Sequence, residues 1–444
     1  MIKHILRILL LLIVLAGLVI WWLMQPDDAR LSNAELTGRV PTMSSPREQV
    51  IPTVNIAEAV GWREGQTPKA ASGLTVGAFA RGLDHPRNLY VLPNGDVLVA
   101  ETNAPGRDTS TVSGKVQEKV MEEAGAGGAS ANRITLLRDV DGDGVAEVKQ
   151  PFITGLNSPY GMALIGNKLY VANSDAVLEF DYTPGATSIA GLGRKIVDLP
   201  HRGKNNHWAK TMVAAPNGFL YVGIGSNSNI AEDGIAWERG RARVIEVRPA
   251  IKYWQTWATG LRNPSGLAIN PANDTLWATV NERDMLGSDM VPDYMAEVTF
   301  GDFFGWPWYY WGGFLDSRVE DDYDDRREYV HRPDYALGAH AAPLGFSFVT
   351  SPALGEPFTR GVFVSLHGSW NRKPAAGYAV QFIAFGDNGK PANVLPLTVL
   401  DGFVTADGKA MGRPTDARQG KDGALLVADD VGNVIWRVSK ATAK

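Results

Sequence analysis

Residues 257–280 read WATGLRNPSGLAINPANDTLWATV, and this phrase has two companions in the chain. FARGLDHPRNLYVLPNGDVLVAE runs over 79–101 and FITGLNSPYGMALIGNKLYVAN over 152–173. Each holds an apolar strand, Gly-Leu, a polar pair, a proline and a second strand. Weaker echoes occur in TMVAAPNGFLYVGIG (211–225) and GRPTDARQGKDGALLVADDVGNVIWRV (412–438). Self-similarity at irregular intervals of roughly 50 to 75 residues is the pattern of propeller blades carrying insertions. Each phrase is expected to supply the inner strands of a four-stranded blade. The stretch from 73 to 440 divides into about six such blades. A two-sheet sandwich would not need the recurring phrase, so the expected fold is all-β, a six-bladed propeller.

Composition agrees with many short strands. The 444 residues include 48 Gly and 26 Pro, so turns are frequent and long helical patterns are scarce. Hydrophobic residues make up 45% and charged residues 20%, which supplies ample core. A net charge of -5 lacks the basic excess that nucleic-acid binding needs. Cys is absent, which excludes disulfides, thiolate metal sites and covalently attached c-type haem. The segment 114–131, with KVQEKVMEEAG and a Gly/Ala-rich tail, interrupts the blade pattern and reads as a helical insertion.

Ahead of the blades, Lys3 and Arg7 precede an apolar run from Ile8 to Met24. Extended back to Ile5, the run reaches about 20 residues, enough to cross a bilayer. It ends in bulky Trp21-Trp22-Leu23-Met24 rather than a small-x-small cleavage site. The expectation is an uncleaved transmembrane helix over 1–24, with the basic end cytoplasmic and the rest in the periplasm or exterior. Cleavage near Ala16-Gly17 is the alternative. Residues 25–72, punctuated by Pro26, Pro41, Pro46, Pro52 and Pro68, read as a stalk or linker.

Several constellations can carry chemistry. In LLRDVDGDGVAEV, Asp139, Asp141, Asp143 and Glu147 place oxygens at loop positions one, three, five and nine. That spacing suits a hard cation such as Ca²⁺, in a structural role; a solvated acidic turn is the alternative. Gln150 at position twelve departs from an EF-hand. Arg262 and Asn263 stand just before a strand, and VNERDMLGSDMVPDYMAEV (280–298) brings five acids. The aromatic GDFFGWPWYYWGG (301–313) suits either packing between blades or stacking on a flat ligand or sugar. His367, Arg372, Lys373 and Arg413 lie on loops that a propeller would gather at one channel mouth as an anion-binding ring.

Taken in order, GLRNPSGLA, VNERDMLGSDMVPDY, FGWP, RGVFVSLHGSWNR and DGALLVADDVGNVIWRV resemble the glucose/sorbosone dehydrogenase family, and especially its membrane-bound L-sorbosone dehydrogenase branch. These are quinoproteins that carry pyrroloquinoline quinone (PQQ) on a six-bladed propeller. The resemblance covers about Leu74 to Val438. It implies that His207, in NNHWAKTM, is the base that takes a sugar hydroxyl proton, a role a neutral imidazole can fill. It implies that Arg262, with Asn263, stabilises charge on the reducing quinone. It assigns Arg413, and more loosely His367 and Arg372, to the cofactor, and the loop from Asp284 to Asp293 to a catalytic Ca²⁺.

His85 reads as a turn residue, and His201, His331 and His340 match no catalytic motif. The chain departs from the family at three points. Trp208-Ala209-Lys210 replaces a Gly-Gly-Arg phrase, which makes Lys210 a candidate cofactor contact. Ser265 replaces a glutamine, and Thr415 replaces a second arginine. The expected activity is a sugar or sorbosone-type dehydrogenase that passes electrons to membrane quinone or a separate cytochrome. A metal-dependent sugar lactonase on a similar propeller and a non-catalytic binding module stand as alternatives.

Overall fold

The glycine of each recurring phrase turns the chain through the left-handed region. Gly82, Gly155 and Gly260 have φ of 66°, 72° and 74°, conformations a side chain would oppose. The leucine that follows (Leu83, Leu156, Leu261) is buried, and the chain then crosses from the outer edge of one sheet to the centre of the next. The phrase therefore straddles two blades. Its first strand closes the preceding sheet and only its later strands open the next, which revises the expectation that the whole phrase lies inside one blade.

The computed structural model describes residues 2–23, 27–49, 52–106, 112–320 and 324–441. It holds six antiparallel blades, each with four principal strands. The innermost strands are Pro86–Val91, Met162–Ile165, Lys210–Ala214, Pro264–Ile269, Pro343–Phe348 and Pro414–Gln419. Each packs against the innermost strand of the next blade, and the sixth returns to the first. The sixth blade is made from both ends of the ring: Leu74–Arg81 pairs antiparallel with Val434–Lys440. Between blades the alternate side chains interlock, as where Ala163, Tyr170 and Val177 of the second blade meet Met212, Leu220 and Val222 of the third.

Four innermost strands begin with proline, whose missing N–H suits the start of an edge strand. In those four blades the next residue is squeezed out of register: Arg87, Ser265, Leu344 and Thr415. Such a bulge re-aims its side chain. The same structural position thus recurs around the channel with different chemistry.

The segment 27–72, expected as a stalk, lies across the propeller. Thr37–Gly38 adds an edge strand to the fourth blade, and Lys69–Ala70 adds one to the fifth. Asp289 accepts the backbone N–H of Arg30 at 2.9 Å, and the Trp62 indole donates to Asp429 at 2.7 Å. Its carbonyl and amide groups find partners on the loops, where a free spacer would leave them to water. The insertion forms a helix over Val112–Glu123 between the second and third strands of the first blade. The backbone N–H of Ala59 donates to the carbonyl of Glu123 at 2.9 Å, which ties helix and N-terminal segment together.

A helix over Ile2–Leu23 precedes all this, and its described side chains are exposed. Among the described residues no helix is long and apolar enough to cross a membrane. Met24, Gln25 and Pro26, on which the expected end of the run rests, lie outside the described residues.

Candidate active site in the channel

A cavity of about 440 Å³ opens at the channel mouth, within the range of small-molecule sites. Of the expected site residues it gathers His207, Arg262, Asp284, Asp293, His367 and Arg413. Val120 and Met121 of the inserted helix and Ile56 of the N-terminal segment also line it. A larger cleft of about 1250 Å³ lies between residues 235–243 and 303–329, and none of the expected site residues lines it.

His207 stands at the head of the strand Lys210–Ala214. Its Nδ1 lies 2.9 Å from both the carbonyl oxygen and Oγ of Ser226. The Ser226 hydroxyl gives its own hydrogen to the carbonyl of Ser228 at 2.6 Å, so both Ser226 oxygens act as acceptors toward the ring. The proton therefore sits on Nδ1 and leaves Nε2 with a lone pair. Burial, reinforced by the Arg262 cation, pushes the imidazole down to about 3. The ring is neutral at physiological pH. Gly225 makes the close approach possible, since a Cβ there would meet the His207 Cβ at 2.3 Å.

Arg262 is 5% exposed, and all five of its N–H groups are engaged. Nε donates to the carbonyl of Asn229 (3.1 Å), and Nη1 to those of Asn281 (3.3 Å) and Glu282 (2.6 Å). Nη2 donates to Asn229 Oδ1 and Asp284 Oδ2, each at 2.9 Å. The result is a rigid positive charge beside His207. Asp284 also accepts from Asn371 (2.8 Å) and faces His340 Nδ1 at 3.7 Å. Burial alone would raise its carboxyl, but Arg262, His340 and Asn371 outweigh burial and hold it well below the usual range.

His340 was passed over by motif, yet it lines the cavity. Its Nε2–H donates to the carbonyl of Gly287 at 3.0 Å, and against the downward pull of burial Asp284 raises its pKa. Its sequence, GAHAAPLGF, carried no signal of this beyond the proline that opens an inner strand. Asp293, pushed up to about 7 by burial, accepts the N–H groups of Glu282 (2.7 Å) and Ala342 (2.8 Å).

The opposite end of the cavity is built by the first, fifth and sixth blades. Asp430 is its centre. It accepts from Arg87 Nη1 at 2.6 Å and from His367 Nε2 at 3.0 Å, with His85 Nε2 at 3.5 Å. Burial lowers both histidines, His85 to about 4, whereas Asp430, despite burial, is held far below the usual carboxylate range by His367, His85 and Arg87. Arg413 lies with its guanidinium 5.1 Å over the Tyr378 ring and donates to the carbonyl of Ala57 at 3.2 Å. Arg87, His85 and Asp430 were missed as site residues, although Arg87 shares the phrase that pointed to Arg262.

Other expected residues lie elsewhere. Lys210 is fully buried beneath the site and donates to the carbonyls of His207 (3.1 Å) and Trp208 (2.9 Å). Arg372 donates to the carbonyls of Ser288 (3.0 Å), Pro374 (3.0 Å) and Leu31 (3.2 Å), so it fastens the N-terminal segment. Asn263 presents its carbonyl to the N–H of Asn281 at 3.0 Å and is not among the cavity-lining residues. The aromatic run 301–313 is mostly buried, with Phe304 and Trp311 packed on Tyr294, and none of it lines the cavity.

The two expected calcium sites differ. Asp139, Asp141, Asp143 and Glu147 bring carboxylate oxygens within 4.8 Å of one another in an exposed loop of the first blade. Each keeps lone pairs beyond those used by backbone N–H groups, which fits a hard cation. In the loop 284–293 the acids are already engaged, and Arg318 Nη1 donates to the carbonyls of Asp284 (2.9 Å) and Met285 (3.2 Å). Asp284 and Asp293 act here as partners of Arg262 and of backbone amides, and the guanidinium charges of Arg262 and Arg318 stand against this loop, where they oppose a further cation.

A family model described as TrAA12-like matches residues 68–297 and 313–441. A PQQ-dependent pyranose dehydrogenase of Coprinopsis cinerea is 26% identical over 359 residues, covering 70% of this chain and 44% of that protein. The aldose sugar dehydrogenase YliI of Escherichia coli is 23% identical over 249 residues, 52% of this chain and 59% of its own. The chain thus spans about half the length of these two relatives. A structure of Trichoderma reesei Carbohydrate-Active Enzymes Family AA12 superposes with a TM-score of 0.68 at 17% identity, over 88% of this chain and 100% of that one. The similarity to sugar dehydrogenases that the motifs suggested is thereby borne out among its relatives.

Proposed function

We propose, from the premise that the chain belongs to the TrAA12-like family, that it is a PQQ-dependent sugar dehydrogenase. One observation carries the reading: His207 holds its proton on Nδ1 against Ser226, leaving Nε2 unprotonated in a cavity beside a fixed arginine. When bound, the quinone supplies an acceptor for the hydride equivalent that leaves the sugar carbon. His207 Nε2 takes the hydroxyl proton, and Ser226 steadies the imidazolium that results. Arg262 offers a charge already oriented by its partners, so no reorganisation is needed as negative charge develops. The arginines at the far end, half-buried Arg87 and buried Arg413, suit an anionic cofactor.

The substrate is a sugar or a sorbosone-type aldehyde hydrate, and the electrons pass to membrane quinone or a separate cytochrome. A structural Ca²⁺ at Asp139, Asp141, Asp143 and Glu147 belongs to the same proposal. So does attachment to the inner membrane by the N-terminal helix, with the propeller in the periplasm or exterior. An exposed helix so rich in Leu and Ile is costly in water, and this supports the attachment. A lactonase would need carboxylates gathered around a central ion. Among the described residues the only such gathering is the outer loop at 139–147.

Reconstitution of the purified chain with PQQ and Ca²⁺, followed by dye reduction over a panel of sugars, tests the reading. Dye reduction should require both quinone and sugar. Lactone hydrolysis without quinone would establish the lactonase instead, and PQQ binding without turnover of any sugar would leave a binding module.

A further inference from the structure

Arg87 lines the cavity but has no part in proton transfer. One nitrogen, Nη1, is held by Asp430, whereas its Nε is buried and meets no acceptor among the described residues. The Nε of Arg413, 4% exposed overall, is in the same condition. A buried N–H without an acceptor is costly, and guanidinium N–H groups most of all. Both arginines line one cavity with hydrogen-bonding capacity the protein leaves unused, and this marks a place for an external acceptor.

The charges at this end agree. Two guanidinium groups face one carboxylate, Asp430, while His85 and His367 are held toward neutrality by burial. At the His207 end, Arg262 is matched by Asp284. The cavity is therefore polarised, and a ligand with carboxylates on one side would enter with that side toward the first and sixth blades.

The repeat explains why Arg87 is there. Thr415 stands where the family resemblance calls for a second arginine. Its side chain is fully buried, with the hydroxyl 3.2 Å from the carbonyls of both Pro86 and Ala428. No arginine fits in that place. Arg87 occupies the same proline-plus-one bulge in the adjoining blade.

We infer that Arg87 supplies the missing second guanidinium, so that Arg87 and Arg413 together bind the carboxylates of a planar polycarboxylate cofactor. Asp430 is the positioning residue that aims Arg87 and His367. The inference rests on the quinone reading above.

The test is PQQ binding to the purified full chain, followed by quenching of its tryptophan fluorescence without substrate or dye. Arg87→Gln should raise the Kd at least about tenfold, the low end for a charged hydrogen bond. Arg87→Lys keeps the ion pair with Asp430 but loses the fork, and should fall between the two. Should Arg87→Gln fail to fold, as its thermal midpoint without ligand would reveal, the Lys variant carries the test alone. Wild-type binding with an unchanged Kd in both variants overturns the assignment of Arg87 and leaves the quinone reading standing. A folded wild type that does not bind PQQ at all overturns both.

Discussion

Replacing His207 by Asn should change how stability depends on pH, with no ligand present. The unfolded chain titrates this ring near ~6.5, whereas burial and Arg262 push the folded ring down to about 3. The folded state therefore binds this proton later than the unfolded state as pH falls. Stability from this group is complete above about pH 7, declines below ~6.5, and reaches its minimum near pH 3. At pH 5 the loss relative to pH 8 is about 2 kcal/mol, from RT times the logarithm of a roughly thirtyfold difference in proton binding. Denaturant unfolding at the two pH values measures it. His85, also lowered by burial, adds a loss of its own, but it does so equally in wild type and variant. The wild type should lose about 2 kcal/mol more than His207→Asn between pH 8 and pH 5. Equal losses would show that the ring is solvated and would remove the physical basis for its role as a base. In the reconstituted enzyme the same shift means that kcat/KM holds down to pH 5, whereas an ordinary histidine would leave only about 3% of the base neutral there.

Gly225→Ala should fold but lose most turnover, because its Cβ would displace His207 and press within 2.5 Å of Asn263 Oδ1; an unaffected rate would mean that the base has room to move. Arg262→Ala should lower turnover about 10²–10³-fold, the range for a lost electrostatic donor, and adding PQQ should not restore it. Chelation should lower the thermal midpoint of the wild type through loss of bound ion, and Asp141→Ala should be much less sensitive. An identical response in that variant would make the acidic loop a solvated turn.

The ring was legible because its signals are local. Gly-Leu and proline sit a few residues apart at three of the crossovers, and the strands between them are short and apolar. His207 and Arg262 could be found because each opens an inner strand behind a recognisable phrase. What escaped depends on residues far apart in the chain. Arg87 and Asp430 are 343 positions apart and meet only when the ring closes. His340 is defined by Asp284 and Gly287, which come from the connection between strands Leu276–Val280 and Pro292–Glu297, more than 50 residues earlier. The proline-punctuated segment 27–72 lacks periodicity, since it is held by side chains of Asp289, Arg372 and Asp429 rather than by a core of its own. Lys210 shows the reverse error. A basic residue next to a catalytic motif suggested a ligand contact, but the alternation of the strand turns it inward to cap two carbonyls.

The sixth blade has a consequence for the order of assembly. Leu74–Arg81 can find its partner only when Val434–Lys440 is present, so the ring stays open until nearly the whole chain has been delivered. Contacts so distant in sequence form slowly, and unpaired strand edges are exposed meanwhile. The seam lies between the sixth and first blades, where Arg413 and Asp430 come from one side and Arg87 from the other. An anion held by both arginines would act as a clasp across that seam. Amide hydrogens of strands 74–81 and 434–440 should then exchange more slowly once the anion is bound, and more so than those of blades on the far side of the ring.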